Sequence, residues 1–523
     1  MPAEPPGDVD YSASLSPETS LESSETIYAE KDIFQVEAAT LGSLDSGPEA
    51  GHFRGKDDNF VDWDGPDDPQ NPMNWSNVRK WVIIGLIALS SFNVSMVSTV
   101  FAPGVPDVIR EFHINSSSIS SLMISVYVMG SAIGPLILTP LTEVSGRLPM
   151  THAANILFAV AAVVCATSVS VSMLIVSRLF MGIASSVPVT VGGGFIADMM
   201  PMEKRGTAMT IWTVGPLGMF TYFSGPIFGG FMVQDIGWRW TIWLEVILGG
   251  CIVIASLIFL RETYAPTILH RKAMRLQKET GLHFHTEYDS DKTLSHQIWV
   301  SIARPVKFLA LSPIVFIVSF YSSITYSYMY IMFTTFTSVF EGVYGFTAGQ
   351  AGLAYLGLGL GFCVGQITVG YFSDRYLKKQ EKRHGQMKPE DRLPPLVFGC
   401  CLIPIGLFWY GWSAEYRLHW IVPISGTFFV GAGIFYVHLV TQVYLVDSYT
   451  LYAASAVSAE LALRCIFGAT IPLAADPLYD ALGLGWGNSL LGFIALLFAP
   501  SSLFLVKYGE RIRTNPKFRP RMT

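Results

Sequence analysis

Twelve stretches of mainly apolar residues, each long enough to cross a lipid bilayer, dominate this chain. A spanning helix needs about 20 such residues, because each residue adds about 1.5 Å against a hydrocarbon core of about 30 Å. Backbone groups in lipid have no water to bond, so each stretch must satisfy them within a helix. The predicted spans are 80–102, 117–140, 149–169, 172–197, 206–232, 238–260, 311–338, 349–372, 393–413, 417–442, 449–475 and 486–506.

The spans fall into two groups of six, separated by a polar and basic segment. We therefore predict an all-α integral membrane protein with twelve transmembrane helices in two six-helix bundles. The first bundle is expected over 79–260 and the second over 311–507. Residues 261–310 are expected to form a linker that contains one interfacial helix.

Charge is scarce and unevenly distributed. Only 14% of the residues are charged, against about 25% in a soluble domain, as expected if much of the surface faces lipid. The first 70 residues carry seventeen acidic and three basic side chains, for a net charge of −14. We expect residues 1–78 to be a disordered acidic tail and residues 508–523 to be a basic tail.

Lysine and arginine placement predicts the orientation in the membrane. Loops on the side of the two termini hold most of the basic residues, whereas the opposite loops hold only Arg110, Arg239 and Arg417. Both termini are therefore expected in the cytosol. Asn115 then begins a possible glycosylation sequon on the outer side, close to the membrane.

Acidic residues recur at matching places in the two groups of spans. Glu143 follows the second span and Asp374 the eighth, while Asp198 ends the fourth and Asp447 the tenth. This pattern indicates two parallel structural repeats. In such proteins the substrate site lies between the repeats, near the middle of the membrane.

The loop after the second span resembles a motif of the major facilitator superfamily. Glu143, Gly146 and Arg147 match its pattern G-x-L-x-D-R-x-G-R-[KR], with glutamate in place of aspartate. Asp374 and Arg375 match it in the second half, where the trailing Gly-Arg is missing. The resemblance spans essentially residues 70–510 and implies a transporter.

Two further motifs narrow the resemblance. The sequence RLFMGIASS, from Arg178 to Ser186, is similar to the fourth-helix motif, in which the arginine is implicated in proton coupling. The sequence GPIFGG is similar to the fifth-helix antiporter motif, with its residues at Gly225, Pro226, Gly229 and Gly230. Together with DPQNPMNW, WRW and YGERIR, they resemble the fungal drug:proton antiporters with twelve spans.

Ionisable side chains inside the spans are functional candidates, because they are costly in lipid. Arg178, Glu245 and His438 are candidates for proton coupling; a snorkelling arginine, a partnered acid and a satisfied core imidazole are the respective alternatives. Glu460 and Arg464, four residues apart on one helix, are expected to form a structural ion pair.

The resemblance also implies a conformational latch. Glu143 would rest on the start of the eleventh helix, while Arg147 would pair with Asp198, and both contacts would hold the outward-open state. Asp374 and Arg375 would mirror them in the second half. In GPIFGG, small residues allow close helix packing and the proline removes one backbone hydrogen bond.

Aromatic residues on the seventh span suggest a substrate surface. Tyr326, Tyr330 and Phe333 share one helix face, which suits large, weakly polar ligands; an interhelical aromatic seam is the alternative. Further polar candidates for the substrate cavity are Asn93, Tyr436 and Gln442.

These features predict a secondary active transporter, with proton-coupled efflux of amphipathic organic compounds as the leading hypothesis. The expected partners are a small-molecule substrate, protons and lipid, with no nucleic acid, and the expected state is a monomer in the plasma membrane or an internal membrane. The chain has no Walker A, H-E-x-x-H or G-x-S-x-G motif and no zinc-site cysteine spacing, so no enzyme, cofactor or metal is predicted. A polyamine or nutrient porter and a transport-dead sensor stay open as alternatives.

Overall fold

A computed structural model describes residues 59–114, 116–201, 204–205, 208–209, 212, 216–287, 294–384, 388–449 and 453–514. The described residues from Val61 onward belong to one compact unit. The acidic tail over 1–58 and the sequon residue Asn115 lie outside the described residues.

Sixteen α-helices, α1–α16, make up nearly all of the described chain. The first bundle contains α1 Asn77–Val100, α2 Val105–Glu111, α3 Ser117–Ser145, α4 Arg147–Ala166, α5 Val171–Met199, α6 Pro216–Ile236 and α7 Arg239–Phe259. The connecting segment contains α8 Ala265–Thr280 and α9 Leu294–Leu311. The second bundle contains α10 Pro313–Tyr344, α11 Ala348–Ala354, α12 Leu356–His384, α13 Pro394–Glu415, α14 Ile421–Ser448, α15 Ala453–Thr470 and α16 Ala475–Thr514. The described chain also contains two short strands, β1 Phe60–Val61 and β2 His285–Thr286, and several 3₁₀ helices of three or four residues.

Ten helical segments of the described chain are long and apolar enough to cross a membrane. The last of them, over 455–514, covers both the eleventh and the twelfth predicted spans. The fifth predicted span corresponds to α6, whose side chains are described only in part. Nine of the ten segments correspond to one predicted span each, and the last corresponds to two. With α6 as the fifth span, the described helices account for all twelve predicted spans.

Helix packing shows that the two halves are repeats. In the first bundle α3 and α4 both pack on α5, α4 packs on α7, and α1 packs on α6. The second bundle repeats this pattern, because α12 and α13 pack on α14, α13 packs on α16, and α10 packs on α15. Each contact in one half therefore has its counterpart six spans later, as the matching acids predicted.

Side-chain caps define where several helices begin. Ser76 accepts a hydrogen bond from the Arg79 backbone at the start of α1, and Ser170 accepts one from Met173 at the start of α5. Thr347 and Gln350 form a capping box at the start of α11. These short polar residues satisfy backbone donors that the first turn of a helix leaves unpaired.

Three boundaries differ from the sequence predictions. Residues 59–76, assigned to the disordered tail, contain a 3₁₀ helix at Pro72–Asn74 and a turn whose backbone donates to Asp68. The connecting segment holds two helices rather than one. Helix α16 continues to Thr514, beyond the predicted end at 507, because a helix can continue as an amphipathic segment after its apolar part ends.

The two bundles contact one another through α3 with α15 and α6 with α11. We call the membrane face at which α1 begins the terminal face, and the other the opposite face. At the opposite face Ser121 donates to Asp476 at 3.1 Å, and the Gly349 backbone donates to Gln234 at 3.3 Å. The bundles are therefore in direct contact near that face.

Candidate coupling and transport site

Arg178 lies buried inside the first bundle with 1% of its surface exposed. Its guanidinium lies 4.3 Å from the ring centroid of Phe101 and 5.8 Å from that of Tyr127. Its Nε and Nη2 atoms have no hydrogen-bond partner among the described residues. Since arginine keeps its charge in proteins, the aromatic faces provide the stabilisation visible here. The location excludes simple snorkelling to a headgroup.

Glu245 on α7 is the acidic neighbour of this arginine. It is 2% exposed, and within the described part of the chain neither carboxyl oxygen has a hydrogen-bond partner. The charge of Arg178 on α5 acts on it at a distance, but no hydrogen bond joins the two side chains within the described part of the chain. The first bundle thus contains two buried, oppositely ionisable groups that are not directly paired.

A small cavity lies inside the same bundle. It has a volume of about 20 Å³ and is lined from α1, α4, α5 and α7 by Ser90, Asn93, Asn155, Ser185 and Gly249, among others. Asn93 was expected to line a cavity between the bundles. It instead faces this internal one, because its position on α1 turns toward the bundle interior.

In the second bundle, the buried residues Glu460 and Arg464 form a cluster with the half-buried His438. Ser322 donates to Glu460 Oε1 at 2.6 Å, and Arg464 Nη1 lies 3.5 Å from the same oxygen. Arg464 Nη1 also contacts the His438 ring, at 3.2 Å from Nε2, and its guanidinium lies 4.8 Å from the Tyr326 ring centroid. A ring nitrogen that accepts from a guanidinium carries no proton, so His438 is neutral in this arrangement.

The predicted aromatic face of α10 is continuous. The Tyr326 and Tyr330 ring centroids lie 5.1 Å apart, and those of Tyr330 and Phe333 lie 5.6 Å apart. The Tyr330 hydroxyl lies 3.1 Å from Ser98 Oγ of the first bundle. The face therefore meets the boundary between the bundles, next to the Arg464 cluster. Its use by substrate stays a prediction.

The other two cavity candidates lie on α14. Tyr436 donates to Thr368 Oγ1 at 2.9 Å, which ties α14 to α12 inside the second bundle. Its hydroxyl thus already has a partner within the protein. Gln442 is half-buried, and its role as a substrate contact is untested.

A polar network holds the terminal face of the first bundle. Arg147 Nε lies 2.7 Å from Asp198 Oδ2, and Arg147 Nη2 donates to Oδ1 at 3.1 Å. Thr263 donates to Asp198 Oδ2 at 2.9 Å. Glu262 accepts from the backbone of Arg147 at 3.1 Å and of Leu148 at 3.2 Å. Its carboxylate therefore satisfies the donors at the start of α4, where negative charge is favoured.

Gly146 is required by this network. Its φ of +96° is a conformation that residues with a side chain rarely adopt. A Cβ built there would lie 2.5 Å from Glu262 Oε2. The glycine of the loop motif therefore allows both the turn between α3 and α4 and the approach of the Glu262 carboxylate.

The second bundle has a corresponding network with different residues. Arg392 pairs with Asp447, and Arg513 Nε donates to Glu390 Oε1 at 2.8 Å. Arg375, expected to mirror Arg147, instead lies 4.1 Å from the Tyr371 ring centroid. Arg392 is the residue of the second bundle that corresponds to Arg147. It lies at the start of the ninth span, as Arg147 lies at the start of the third, and it pairs with the acid at the end of the tenth span. The side chain of Asp374 lies outside the described residues.

The predicted latch needs revision. Arg147 and Asp198 belong to the same bundle, so rigid-body movement of the bundles would leave their pair intact. Their pair is also present while the bundles touch at the opposite face. It therefore cannot by itself mark the outward-open state. Glu143 was expected to contact the start of the eleventh helix and so to join the bundles. Its side chain lies outside the described residues, and this contact stays a prediction.

The GPIFGG residues pack against two different neighbours. A Cβ at Gly225 or Gly229 would overlap α1 at Thr99 or Val100, and one at Gly230 would overlap the Ala348 carbonyl. The Pro226 carbonyl lies 2.5 Å from the position of a Cβ on Gly352. Backbones therefore touch both within the first bundle and between α6 and α11, which needs glycine on both sides.

Sequence reasoning missed several residues of these networks. It did not single out Glu262, Thr263, Glu390 or Arg392, and Arg513 entered it only as the last residue of YGERIR. The sequence does contain a sign of them, because each of these residues lies within a few residues of the end of a predicted span. What could not be read from the sequence was which of many rim charges would meet.

A family model described as Major Facilitator Superfamily matches residues 87–472. The chain is 46% identical over 479 residues to the MFS-type transporter penM of Penicillium rubens, with 91% of this chain and 94% of that protein covered. It is 44% identical over 470 residues to the efflux pump radE of Floropilus chiversii, with 89% and 87% covered. It is 47% identical over 460 residues to the MFS-type transporter tndD of Aspergillus flavipes, with 87% and 85% covered.

Solved structures agree with this fold. A crystal structure of a D-xylose-proton symporter matches with a TM-score of 0.62 at 16% identity, covering 85% of this chain and 98% of that one. An inward-open structure of the xylose transporter XylE from E. coli matches with a TM-score of 0.59 at 15% identity, covering 81% and 96%. The chain is thus a multi-pass membrane transporter of small molecules, not an enzyme, and it belongs to the major facilitator superfamily, alongside fungal MFS-type transporters and efflux pumps.

Proposed function

We propose that this protein exports amphipathic small molecules in exchange for protons, with Glu245 as the group that carries the proton. The observation that supports this most strongly is the pair Arg178 and Glu245. Two oppositely ionisable side chains are buried in one bundle without the hydrogen bonds that a permanent ion pair would make. Such groups inside a membrane protein are functional candidates by default.

The energetics favour a neutral Glu245 in this conformation. A buried carboxylate without donors costs several kcal/mol, so the group keeps its proton instead. Loss of the proton would create a carboxylate next to Arg178, and the two charges would then attract one another strongly in a low-dielectric interior. The protonated and deprotonated forms therefore favour different geometries of α5 and α7, which is what coupling to a conformational change requires.

The second bundle is better suited to binding the substrate than to carrying the proton. Glu460 has both Ser322 and Arg464 as partners, so it resembles a structural acid. His438 stays a second candidate for proton coupling, because removing its contact with Arg464 would free the ring to titrate.

The substrate class follows from the aromatic face on α10. Tyr326, Tyr330 and Phe333 place apolar rings and two hydroxyl groups at the boundary between the bundles, which suits flat, weakly polar organic molecules. Tyr330 and Phe333 are buried here, with 3% and 0% of their surface exposed, so they would meet the substrate only after the bundles move apart. The name of the relative radE, an efflux pump, supports export. We place the chain in the plasma membrane with cytosolic termini, on the basis of its basic loops. We further propose that it works as a monomer.

A transport experiment tests this function. The full chain is expressed in a host that lacks its own exporters, and accumulation of a panel of toxins and fungal metabolites is measured with and without a proton uncoupler. We expect lower accumulation of at least one amphipathic compound, with the effect abolished by the uncoupler and by Glu245→Gln. An effect that survives the uncoupler would contradict proton coupling, and no effect on any compound would contradict export.

A further inference from the structure

The internal cavity of the first bundle has the size and chemistry of a water site. Its volume of about 20 Å³ suits a single water molecule, which needs about 10–15 Å³ and two to four polar partners. Four of its lining side chains are polar: Ser90, Asn93, Asn155 and Ser185. Asn93 is 4% exposed, and its Oδ1 has no hydrogen-bond partner in the described structure. A buried amide oxygen without a donor favours occupation by water.

Polar side chains continue from this cavity toward the terminal face. Asn155 Nδ2 donates to Ser256 Oγ at 3.5 Å, and Ser256 Oγ lies 3.5 Å from His152 Nδ1. His152 is half-buried and lies one turn after Arg147, near the start of α4. The series thus runs from the interior to the rim of the bundle on α4 and α7.

Glu245 does not line the cavity but lies one helical turn from a residue that does. Gly249 lines the cavity one helical turn after Glu245 on α7, and residues four apart share a helix face. A Cβ at Gly249 would already lie 3.0 Å from the Phe158 ring, so a larger residue would fill this space. On α5, Ser185 lies seven residues after Arg178 and therefore on the same face.

We infer that the cavity binds a water molecule held by Asn93, and that this water forms part of a proton path from Glu245 to His152 inside the first bundle. The amides of Asn93 and Asn155 position the water, while water, the Ser256 hydroxyl and the His152 ring pass the proton. Water, the Ser256 hydroxyl and the His152 ring each accept one proton and release another, so they regain their starting charge. To do this the Ser256 hydroxyl turns away from the Val253 carbonyl, to which it donates here. Glu245 alone changes its charge, from neutral to anionic, and the proton leaves His152 for the solvent at the terminal face. The path runs within one bundle, separate from the boundary at which the substrate binds.

The inference rests on the proposed role of Glu245, and infrared spectroscopy can test the two separately. The full chain is reconstituted in lipid nanodiscs, transferred from H₂O to D₂O, and the protonated carboxyl band is followed in time. Glu245→Gln identifies the band of Glu245. If this variant removes no carboxyl band, Glu245 holds no proton, and both the proposed function and the path are contradicted.

If the band is present, variants of the cavity test the path alone. Asn93→Leu removes the amide and fills the space, and we expect exchange at Glu245 to slow about tenfold, as for a barrier raised by about 1.4 kcal/mol. Val94 forms part of the apolar wall of the cavity, so Val94→Phe fills the same space and should slow exchange similarly. Asn93→Ser keeps a polar group and room for water, so it should exchange like the unmodified chain. Asn488→Leu, a buried asparagine of the second bundle, is the matched control and should not change the rate.

Two results would overturn the path. Unchanged exchange in both Asn93→Leu and Val94→Phe would mean that the proton reaches Glu245 by another route. Exchange as slow in Asn93→Ser as in Asn93→Leu would mean that asparagine acts through packing rather than through water. If Asn93→Leu does not fold, Val94→Phe and Asn93→Ser still decide between these outcomes.

Discussion

Glu245 and Glu460, which lie buried in different bundles, should differ in how strongly the same substitution lowers stability. Glu245 has no hydrogen-bond partner among the described residues, whereas Glu460 accepts from Ser322 at 2.6 Å and lies 3.5 Å from Arg464. Replacing a carboxyl by the equally sized amide removes the ability to ionise with little change in volume. We predict that Glu245→Gln leaves stability nearly unchanged and that Glu460→Gln lowers it strongly.

The magnitudes follow from the contacts. Glu245→Gln breaks no bond of a neutral carboxyl and adds one unpaired donor, so the cost should stay within about 1 kcal/mol. Glu460→Gln leaves Arg464, which is 8% exposed, without its anionic partner. Removing one member of a buried ion pair costs about 3–5 kcal/mol, because the remaining charge is uncompensated.

Thermal unfolding of the purified chain in one detergent, followed by loss of the monodisperse peak in size-exclusion chromatography, measures this contrast. Ser322→Ala is a useful companion, because it removes one hydrogen bond from Glu460 and keeps the ion pair. It should fall between the two glutamine variants. An equal loss of stability in Glu245→Gln and Glu460→Gln would refute the reasoning, since it would show that Glu245 is ionised and paired.

The remaining predictions concern the rim and the helix contacts. Asp198→Asn should destabilise the chain by about 2–3 kcal/mol, because it replaces charged hydrogen bonds to Arg147; thermal unfolding measures the loss. Glu262→Ala should cost about 1–2 kcal/mol by removing the acceptor at the start of α4, and hydrogen exchange should rise first in the opening turn of α4. Gly352→Ala places a Cβ 2.5 Å from the Pro226 carbonyl, so it should separate α6 from α11, and spin labels at their opposite-face ends should move apart.

Matched controls accompany these variants. Gly370→Ala adds the same methyl group on α12, where a Cβ would meet no atom within 4 Å, and the label distance should not change. Glu279→Ala removes an exposed acid that pairs only with Arg275 on the surface of α8, and stability should change little. A loss as large in Glu279→Ala as in Glu262→Ala would contradict the capping role, and an unchanged label distance in Gly352→Ala would contradict the helix contact.

Much of the fold could be predicted because hydropathy and helix length are local properties. The spans, the two groups of six and the repeat followed from runs of apolar residues and from the positions of Glu143, Asp198, Asp374 and Asp447. Boundaries were less accurate where a helix continues past its apolar part, as at Thr514. They were also inaccurate where polar residues fold into turns, as around Asp68.

The candidate site was predictable only in its residue types. Arg178, Glu245 and Arg464 stood out because charge inside a span is rare, and the structure places all three in buried surroundings. Their neighbours depend on how helices rotate and pair, which one sequence does not reveal. For that reason only the structure shows three features. Arg178 and Glu245 are buried in one bundle without being paired, Asn93 faces an internal cavity, and Arg392 pairs with Asp447.

The most direct test of proton coupling is transport in proteoliposomes with an imposed pH difference. The compound that the cell experiment identifies is loaded on one side, and its movement is measured together with the internal pH. The account predicts that a proton gradient drives the compound uphill, that protons move in the opposite direction, and that Glu245→Gln abolishes both fluxes while substrate-for-substrate exchange continues. Uphill movement that persists in Glu245→Gln would contradict the account.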